Sequence, residues 1–340
     1  MAGVNLTGTD QEISKPTVTI VIPVYQGQIS LPQLVEEIAE LRPGQPEADH
    51  LPFVLDELIL VHDVGPDGSA ELLSELAKGH DWISVVWLTR NFGQHPATVA
   101  GIASSSADWI VTMDEDGLHD PATIVTLFER AMADGADLVY GQPAQRRPHP
   151  WYRNATSRLA SVLFRMLVGK DGATTFASFR LLDGPMTRGL VAYCGHGVYL
   201  DVALLWVMSV VSQQPVPYRE EIRGADQRSG YSFRTLLSHF RRLVLTSGTR
   251  PLRFVAFVGL LASMTGAVLG AVVIGLHLGG SDATQGWAST MITIVFFSGL
   301  IMMALGVVAE YLSVAVTMAA GRPMYMTTTR KPRLPQSPGE

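Results

Sequence analysis

The amino-acid sequence predicts an α/β fold with a mainly parallel, twisted sheet, followed by amphipathic helices and a two-helix transmembrane hairpin. Short β-branched segments alternate with segments of helical periodicity between residues 17 and 141, which is typical of consecutive βαβ units. Further along, residues 255–276 and 288–309 are apolar and carry no charge. Each of these stretches is long enough to cross a hydrocarbon core of about 30 Å.

Five segments have the composition of strands: residues 17–24, 57–63, 82–89, 108–114 and 136–141. The segments between them favour helices: residues 31–41, 69–78, 95–106 and 121–133, the last opened by a proline. The first strand, "TVTIVIPV", is β-branched or apolar on both faces, as expected inside a parallel sheet. Ligands of such sheets bind beyond the carboxyl ends of the strands, where this chain has Asp63, Arg90 and Asp114.

Composition excludes several classes of protein. The chain has 340 residues and a net charge of -6, so it lacks a basic footprint and we expect no nucleic-acid partner. Its one cysteine, Cys194, rules out an internal disulfide. No GxGxxG motif follows the first strand and no phosphate-binding P-loop motif occurs. We expect residues 1–15 to be a disordered lead rather than a signal peptide.

The charges around the two apolar stretches predict their orientation. The connecting residues 277–287 contain no Lys or Arg, whereas both flanks are basic. The positive-inside rule therefore places both flanks in the cytoplasm. The alternative, two buried helices of a soluble core, would require a polar stripe that neither stretch shows.

Two basic amphipathic segments precede the hairpin, at residues 150–169 and 231–254. We expect them to lie in the membrane interface, although ordinary surface helices would have the same pattern. In chain order, the predicted organisation is a lead at 1–15, a catalytic domain at 16–230, a juxtamembrane helix at 231–251, the hairpin at 252–318 and a cytoplasmic tail at 319–340.

An acidic cluster ends the fourth predicted strand, in "WIVTMDEDGLHDP". Asp114, Glu115 and Asp116 are consecutive, and like charges repel one another unless water or a cation separates them. Mg²⁺ and Mn²⁺ take oxygen ligands, commonly one or two carboxylates together with substrate phosphates. The cluster is thus either a solvated turn or a cation site that holds a diphosphate.

Taken together, these motifs resemble the membrane-bound polyprenyl-phosphate glycosyltransferases of family 2, which have the GT-A fold. The resemblance extends over about residues 16–326. "VIPVYQGQISLPQLVEEI" is similar to the opening motif of the family, which implies that Pro23 and Tyr25 contact the nucleotide base. "LVHDVGPDGSAELL" puts Asp63 at the base-binding acid, and "LTRNFGQHPATVAG" places Arg90 and Asn91 in the donor site.

The resemblance also implies a role for each residue of the acidic cluster. It implies that Asp114 and Asp116 bind the metal and the diphosphate, with Glu115 in the nucleotide-sugar site. The family often has a glutamine ligand where this chain has Leu118, so either His119 or water is the third metal ligand, or the metal is held more weakly.

"SFRLLD" is similar to a family element that carries an acid and an arginine, here Ser178 and Arg180. Asp201 is the nearest acid that could take over the missing carboxylate, unless it only pairs with an arginine to support the fold. Arg153, Arg228 and Ser232 are the implied ligands of the acceptor phosphate.

The resemblance implies that a sugar moves, with inversion, from a nucleotide-sugar such as a UDP-sugar to polyprenyl phosphate. It further implies Mg²⁺ or Mn²⁺ as cofactor, and a homotetramer in the lipid bilayer of a bacterial plasma membrane with its site on the cytoplasmic side. A phosphate monoester is largely ionised at neutral pH, because its second pKa is about 6. We therefore expect positioning and charge stabilisation to matter more than a general base.

Two alternatives stay open. A processive polysaccharide synthase would share the catalytic domain, but it would carry a Q-x-x-R-W motif and more membrane spans than this sequence predicts. A degenerate, membrane-anchored binding or scaffold protein is the other alternative, and the departures at Val64, Leu118 and Ser178 favour it.

Overall fold

An eight-stranded mixed sheet forms the centre of the computed structural model. The structure describes residues 15–46, 48–144, 176–195, 198–219 and 286–329, and some of the residues between 255 and 275. In chain order, the strands are β1 Thr17–Val24, β2 Val54–His62, β3 Ile83–Leu88, β4 Trp109–Thr112, β5 Leu138–Pro143, β6 Arg180–Asp183, β7 Val211–Val216 and β8 Thr327–Thr328. Their spatial order is β7-β5-β6-β4-β1-β2-β3-β8.

The predicted α/β fold is confirmed, and the sheet is mixed, with four parallel and three antiparallel strand pairings. Strands β1 to β4 pair in parallel, as the alternating pattern requires. In contrast, β6 lies antiparallel between β4 and β5, and β8 lies antiparallel to β3. These two strands are four and two residues long, too short to show a strand periodicity in the sequence.

Six helices cover the two faces of the sheet, and a long apolar helix follows them in the chain. In chain order they are α1 Leu31–Ala39, α2 Ser69–Gly79, α3 Gln94–Ser104, α4 Ile124–Asp134, α5 Gly184–Val191, α6 Leu200–Val207 and the apolar α7 Trp287–Ala319. The four helices predicted before residue 141 are present. The last begins late because Pro121–Thr123 forms a 3₁₀ turn, capped by a 3.0 Å hydrogen bond from the Ala122 N–H to the Asp120 carboxylate.

The core has two layers, which explains why β1 is apolar on both faces. Ile20 and Ile22 pack with α1, α2 and α4, whereas Val21 packs with α3, α5 and α6. Helix α3 approaches the sheet closely, since a β-carbon at Gly101 would lie 2.3 Å from the Val21 side chain.

Helix α7 contains the second predicted membrane span. Its segment Phe296–Val316 has a mean hydropathy of 2.0 and none of it is buried. Within the described part of the chain it is the one helix long and apolar enough to cross a membrane. The first predicted span is described only in part, with a shorter apolar helix at Phe257–Gly266, so a two-helix hairpin is not confirmed. The predicted amphipathic helices, 150–169 and 231–254, lie outside the described residues.

The chain returns from α7 to the sheet, which was not predicted. It turns at Gly321, where φ is 64°, and Met324 then packs into the core. Thr327 and Thr328 pair with Leu88 and Trp87, which places them at the carboxyl end of β3. The end of the apolar helix is therefore joined to the sheet edge at which ligands of α/β proteins bind.

We expect Val64→Gly to raise the free energy of unfolding by about 1 kcal/mol. Val64 has a φ of 49°, in the left-handed region where a β-branched residue is strained and glycine is not. Chemical unfolding of the detergent-solubilised protein measures this increase in stability. Val64→Ile, which keeps the branched side chain, should leave the free energy of unfolding unchanged. An unchanged stability in the glycine variant would mean that packing of the valine offsets its backbone strain.

Candidate active site

A cavity of about 280 Å³ opens at the carboxyl ends of β1 and β4. The residues that line it are Pro23, Gln94, His95, Thr98, Thr112, Met113, Asp114, Phe176, Ala177, Ser178, Arg180, Tyr199 and Asp201. Four of the predicted site residues therefore meet here: Pro23, Asp114, Arg180 and Asp201. The cavity lies where α/β sheets bind their ligands.

Asp114 is held from two sides by neutral donors. Gln94 Nε2 donates to one carboxylate oxygen and Ser178 Oγ donates to the other, each at 2.5 Å. Burial raises the pKa of Asp114, and the bond from Ser178 lowers it in part. A cation at this carboxylate would favour its ionised form further.

The other two acids of the cluster have different hydrogen-bond partners. Glu115 accepts hydrogen bonds from the backbone N–H groups of Tyr25 at 2.9 Å and Gln26 at 3.0 Å, which ties the acidic loop to the end of β1. Asp116 accepts a 3.2 Å bond from the N–H of Leu118. The cluster is therefore not three equivalent charges, because Glu115 is occupied by backbone donors.

Asp63 orders the loop after β3 from a buried position. Its two carboxylate oxygens accept bonds from the N–H groups of Phe92 at 2.7 Å and Gly93 at 2.8 Å. Burial raises the pKa of Asp63, while these backbone bonds lower it in part. The guanidinium of Arg90 lies 4.1 Å from the centre of the Phe92 ring, and Asn91 beside it is exposed.

Tyr25 is 41% exposed at the end of β1, where a planar base could contact it. The adjacent loop needs glycine at position 65, because a β-carbon there would lie 1.5 Å from the carbonyl oxygen of Tyr25. The end of β1 and the loop after β2 are therefore closely packed at this position.

A buried polar network forms the inner wall of the cavity. The Arg180 guanidinium pairs with the Asp201 carboxylate, and the two side chains are 3% and 4% exposed. Tyr140 Oη donates to Asp201 at 3.0 Å, and Arg180 Nε donates to Thr112 Oγ1 at 2.9 Å. Asp201 therefore contacts Arg180 inside the candidate site, and whether the pair acts in turnover stays a prediction.

The predicted three-ligand metal site is not assembled. The described residues contain no group of three His, Cys, Asp or Glu side chains that could hold a metal. The His119 ring instead stacks on Phe179 at 4.7 Å and meets Tyr218 edge-on at 5.2 Å, and burial lowers its pKa. Asp114 and Asp116 alone still suit a cation that takes its remaining ligands from a bound diphosphate.

Sequence reasoning missed several groups and assigned others outside the described residues. Gln94 opens α3 at the same sheet edge as Asp114, a placement that could have identified it, whereas no local signal marks Tyr140. Ser178 was recognised only as a missing acid. The candidate acceptor residues Arg153, Arg228 and Ser232 lie outside the described part of the chain.

Ser178→Ala is expected to lower turnover about tenfold to a hundredfold, because a hydrogen bond to a charged group contributes about 1.5–3 kcal/mol. Steady-state kinetics measure the change. Ser104→Ala, which removes a hydroxyl bonded to a helix carbonyl away from the cavity, should leave turnover at the wild-type level. Full activity of the Ser178 variant would mean that Gln94 alone keeps Asp114 in place.

Comparisons with known proteins identify the relatives of this chain. Residues 19–183 match the family model "Glycosyl transferase family 2". The chain is 30% identical over 313 residues to an undecaprenyl-phosphate 4-deoxy-4-formamido-L-arabinose transferase of Pectobacterium carotovorum, with 91% of each chain covered. It is 26% identical over 324 residues to the uncharacterized glycosyltransferase YkcC of Bacillus subtilis, with 91% of this chain and 92% of YkcC covered.

Among solved structures, a similar one is glucosyl-3-phosphoglycerate synthase from Mycobacterium tuberculosis in complex with Mn²⁺ and UDP-glucose. It shares 18% identity and a TM-score of 0.48, over 69% of this chain and 79% of that one. The assignment of the chain to a family rests on its sequence relatives. Since a relative at 30% identity covers 91% of the chain, and the family model spans β1 to β6, this protein belongs to glycosyl transferase family 2.

Proposed function

We propose that the protein transfers a sugar from a nucleoside-diphosphate sugar to the phosphate of a polyprenyl phosphate at a membrane surface. The observation that carries this proposal is the cavity with Asp114 at its wall, at the carboxyl edge of the sheet to which the chain returns through β8 after the apolar helix α7. A relative named for undecaprenyl phosphate over 91% of the chain supports the choice of acceptor.

The donor would lie across the carboxyl ends of β1 and β4. Tyr25 is exposed to meet the base, and Asp63 keeps the neighbouring loop with Arg90 in place. Asp114 and Asp116 would hold Mg²⁺ or Mn²⁺ against the diphosphate, and the cation would supply charge stabilisation for the departing nucleoside diphosphate.

The reaction needs one bond to form and one to break. An ionised oxygen of the acceptor phosphate forms a bond to the anomeric carbon, while the bond from that carbon to the diphosphate breaks and its electron pair leaves with the nucleoside diphosphate. A single displacement of this kind inverts the anomeric centre. Because the acceptor oxygen carries no proton to remove, the serine at position 178 does not impair the chemistry.

Helix α7 supports a position of the site close to a bilayer. Helix α7 is 33 residues long, and its apolar side chains are exposed to the surroundings, which is costly in water and favourable in lipid. Near its end, Met318 lies 3.6 Å from the position of a β-carbon at Gly195, in the segment that leads to Tyr199 of the cavity wall. A lipid-linked phosphate could therefore reach the site from the membrane surface.

A direct assay tests the function. Full-length protein in detergent is incubated with a panel of nucleotide-sugars and a short polyprenyl phosphate, and the glycolipid is detected by mass spectrometry. We expect one donor to give a polyprenyl-phosphate sugar. Binding of nucleotide-sugars without any transfer would contradict the proposal and favour the scaffold alternative, and a growing glycan chain would favour the processive synthase.

Topology offers an independent test. We propose two spans in a bacterial plasma membrane, with residues 1–250 and 320–340 in the cytoplasm. In a Cys194→Ser background, a cysteine at position 281 should react with an impermeant thiol reagent in intact cells. Labelling only after the cells are opened would contradict this orientation. The homotetramer implied by the resemblance is likewise a proposal, which native mass spectrometry in detergent tests.

A further inference from the structure

We infer that Arg219 is a positioning residue that fixes the acidic loop, residues 113–121, against α1. This inference rests on the proposed function, because the loop carries the two carboxylates assigned to the diphosphate and its cation. Arg219 was not identified from the sequence, and it lies outside the wall of the cavity.

The Arg219 guanidinium joins two parts of the fold with separate nitrogen atoms. One terminal nitrogen lies 2.6 Å from the Glu37 carboxylate on α1, and the other lies 3.0 Å from the Asp120 carboxylate on the loop. The backbone N–H of Arg219 also donates to the carbonyl oxygen of Leu118 at 3.0 Å. The side chain and the backbone of one residue therefore hold the same loop.

Neighbouring contacts extend this attachment. Tyr218 forms an antiparallel bridge with His119, and their rings meet edge-on at 5.2 Å. The second oxygen of Asp120 accepts the 3.0 Å bond from the Ala122 N–H that caps the following turn. Both carboxylate oxygens of Asp120 therefore have partners. A change at Arg219 would displace Asp120 and, with it, the turn that precedes α4.

The position of Arg219 completes a two-point attachment of the loop. Glu115 ties its first half to the end of β1, and Asp120 ties its second half to Arg219. Asp116 lies between these two points. Isolated surface ion pairs contribute little to global stability, whereas a planar guanidinium that spans two carboxylates specifies geometry, which the single ammonium of lysine does not reproduce.

Amide hydrogen exchange of the full-length protein in detergent tests the inference. Arg219→Ala should accelerate exchange in the peptide covering residues 113–121 about tenfold or more, while exchange in β1 and β2 stays unchanged. Arg219→Lys keeps the positive charge but loses the planar guanidinium that contacts both carboxylates. Its exchange rate in this peptide should lie between those of the wild type and the alanine variant. Arg130→Ala is the matched control, because it removes a surface ion pair of α4 with Asp134 and should leave the loop as in the wild type.

A second measurement does not depend on turnover: binding of Mn²⁺ alone is monitored by the loss of the free-ion signal in electron paramagnetic resonance. Arg219→Ala should weaken the affinity for Mn²⁺ about tenfold, and Arg130→Ala should not change it. Unchanged exchange in the loop, or equal acceleration across the whole domain, would show that Arg219 has no specific positioning role. Absence of Mn²⁺ binding in the wild type would instead count against the metal in the proposed function, and the exchange result would still decide the role of Arg219.

Discussion

Replacing Asp116 by alanine is expected to reduce sugar transfer at least about a thousandfold while the protein still folds and inserts into the membrane. The carboxylate is assigned to the cation and diphosphate, so its loss removes charge stabilisation from the leaving group. The cost to the fold should be smaller, because Asp116 is only half-buried and its carboxylate accepts a 3.2 Å bond from the Leu118 N–H of its own turn. Turnover and thermal unfolding of the same preparation measure the two effects.

Asp81→Ala is a suitable control for this experiment. The Asp81 side chain is 96% exposed, at 3.7 Å from Arg42 and remote from the cavity, and the variant removes the same chemical group. It should keep wild-type turnover. Transfer at the wild-type rate in the Asp116 variant, or by the wild type in excess chelator, would exclude a metal role for the acidic cluster.

Replacing Asp201 by asparagine is expected to destabilise the protein by about 3–5 kcal/mol as well as to reduce turnover. If Asp201 only took over the missing carboxylate, its loss would affect turnover much more than stability. The structure changes that balance, because Asp201 and Arg180 are both buried and paired, and the variant leaves a buried guanidinium without its counter-charge. Chemical unfolding and steady-state kinetics of the same variant separate the two losses.

A compensated variant separates the two roles of the pair. Arg180→Met with Asp201→Leu removes both charges, and Tyr140→Phe removes the hydroxyl that would lose its acceptor. Apolar replacement of a complete buried pair is often neutral or stabilising, so we expect near-wild-type stability and strongly reduced turnover. If turnover returned together with stability, the pair would serve the fold alone.

Tyr140→Phe by itself is the control for the network. It removes one 3.0 Å hydrogen bond to Asp201 and leaves the ion pair intact. The expected cost is about 1 kcal/mol of stability, with turnover close to that of the wild type.

Much of the fold was predictable because its signals are local. The alternation of apolar strands with helical segments depends on neighbours a few residues apart in the chain, and β1, α2 and α3 lie within two residues of their predicted bounds. The antiparallel strands β6 and β8 were not predictable, since pairing partners far apart in the sequence determine them.

The candidate site shows the same division. The sequence by itself determined that carboxylates and arginines follow the strands, because strand ends and their polar residues are adjacent in the chain. Only the tertiary structure decided their partners: Ser178 and Gln94 at Asp114, backbone donors at Glu115, and aromatic rings at His119. These contacts join residues as many as 90 positions apart. They depend on which segments pack together, and that is a property of the whole fold rather than of any one stretch of the chain.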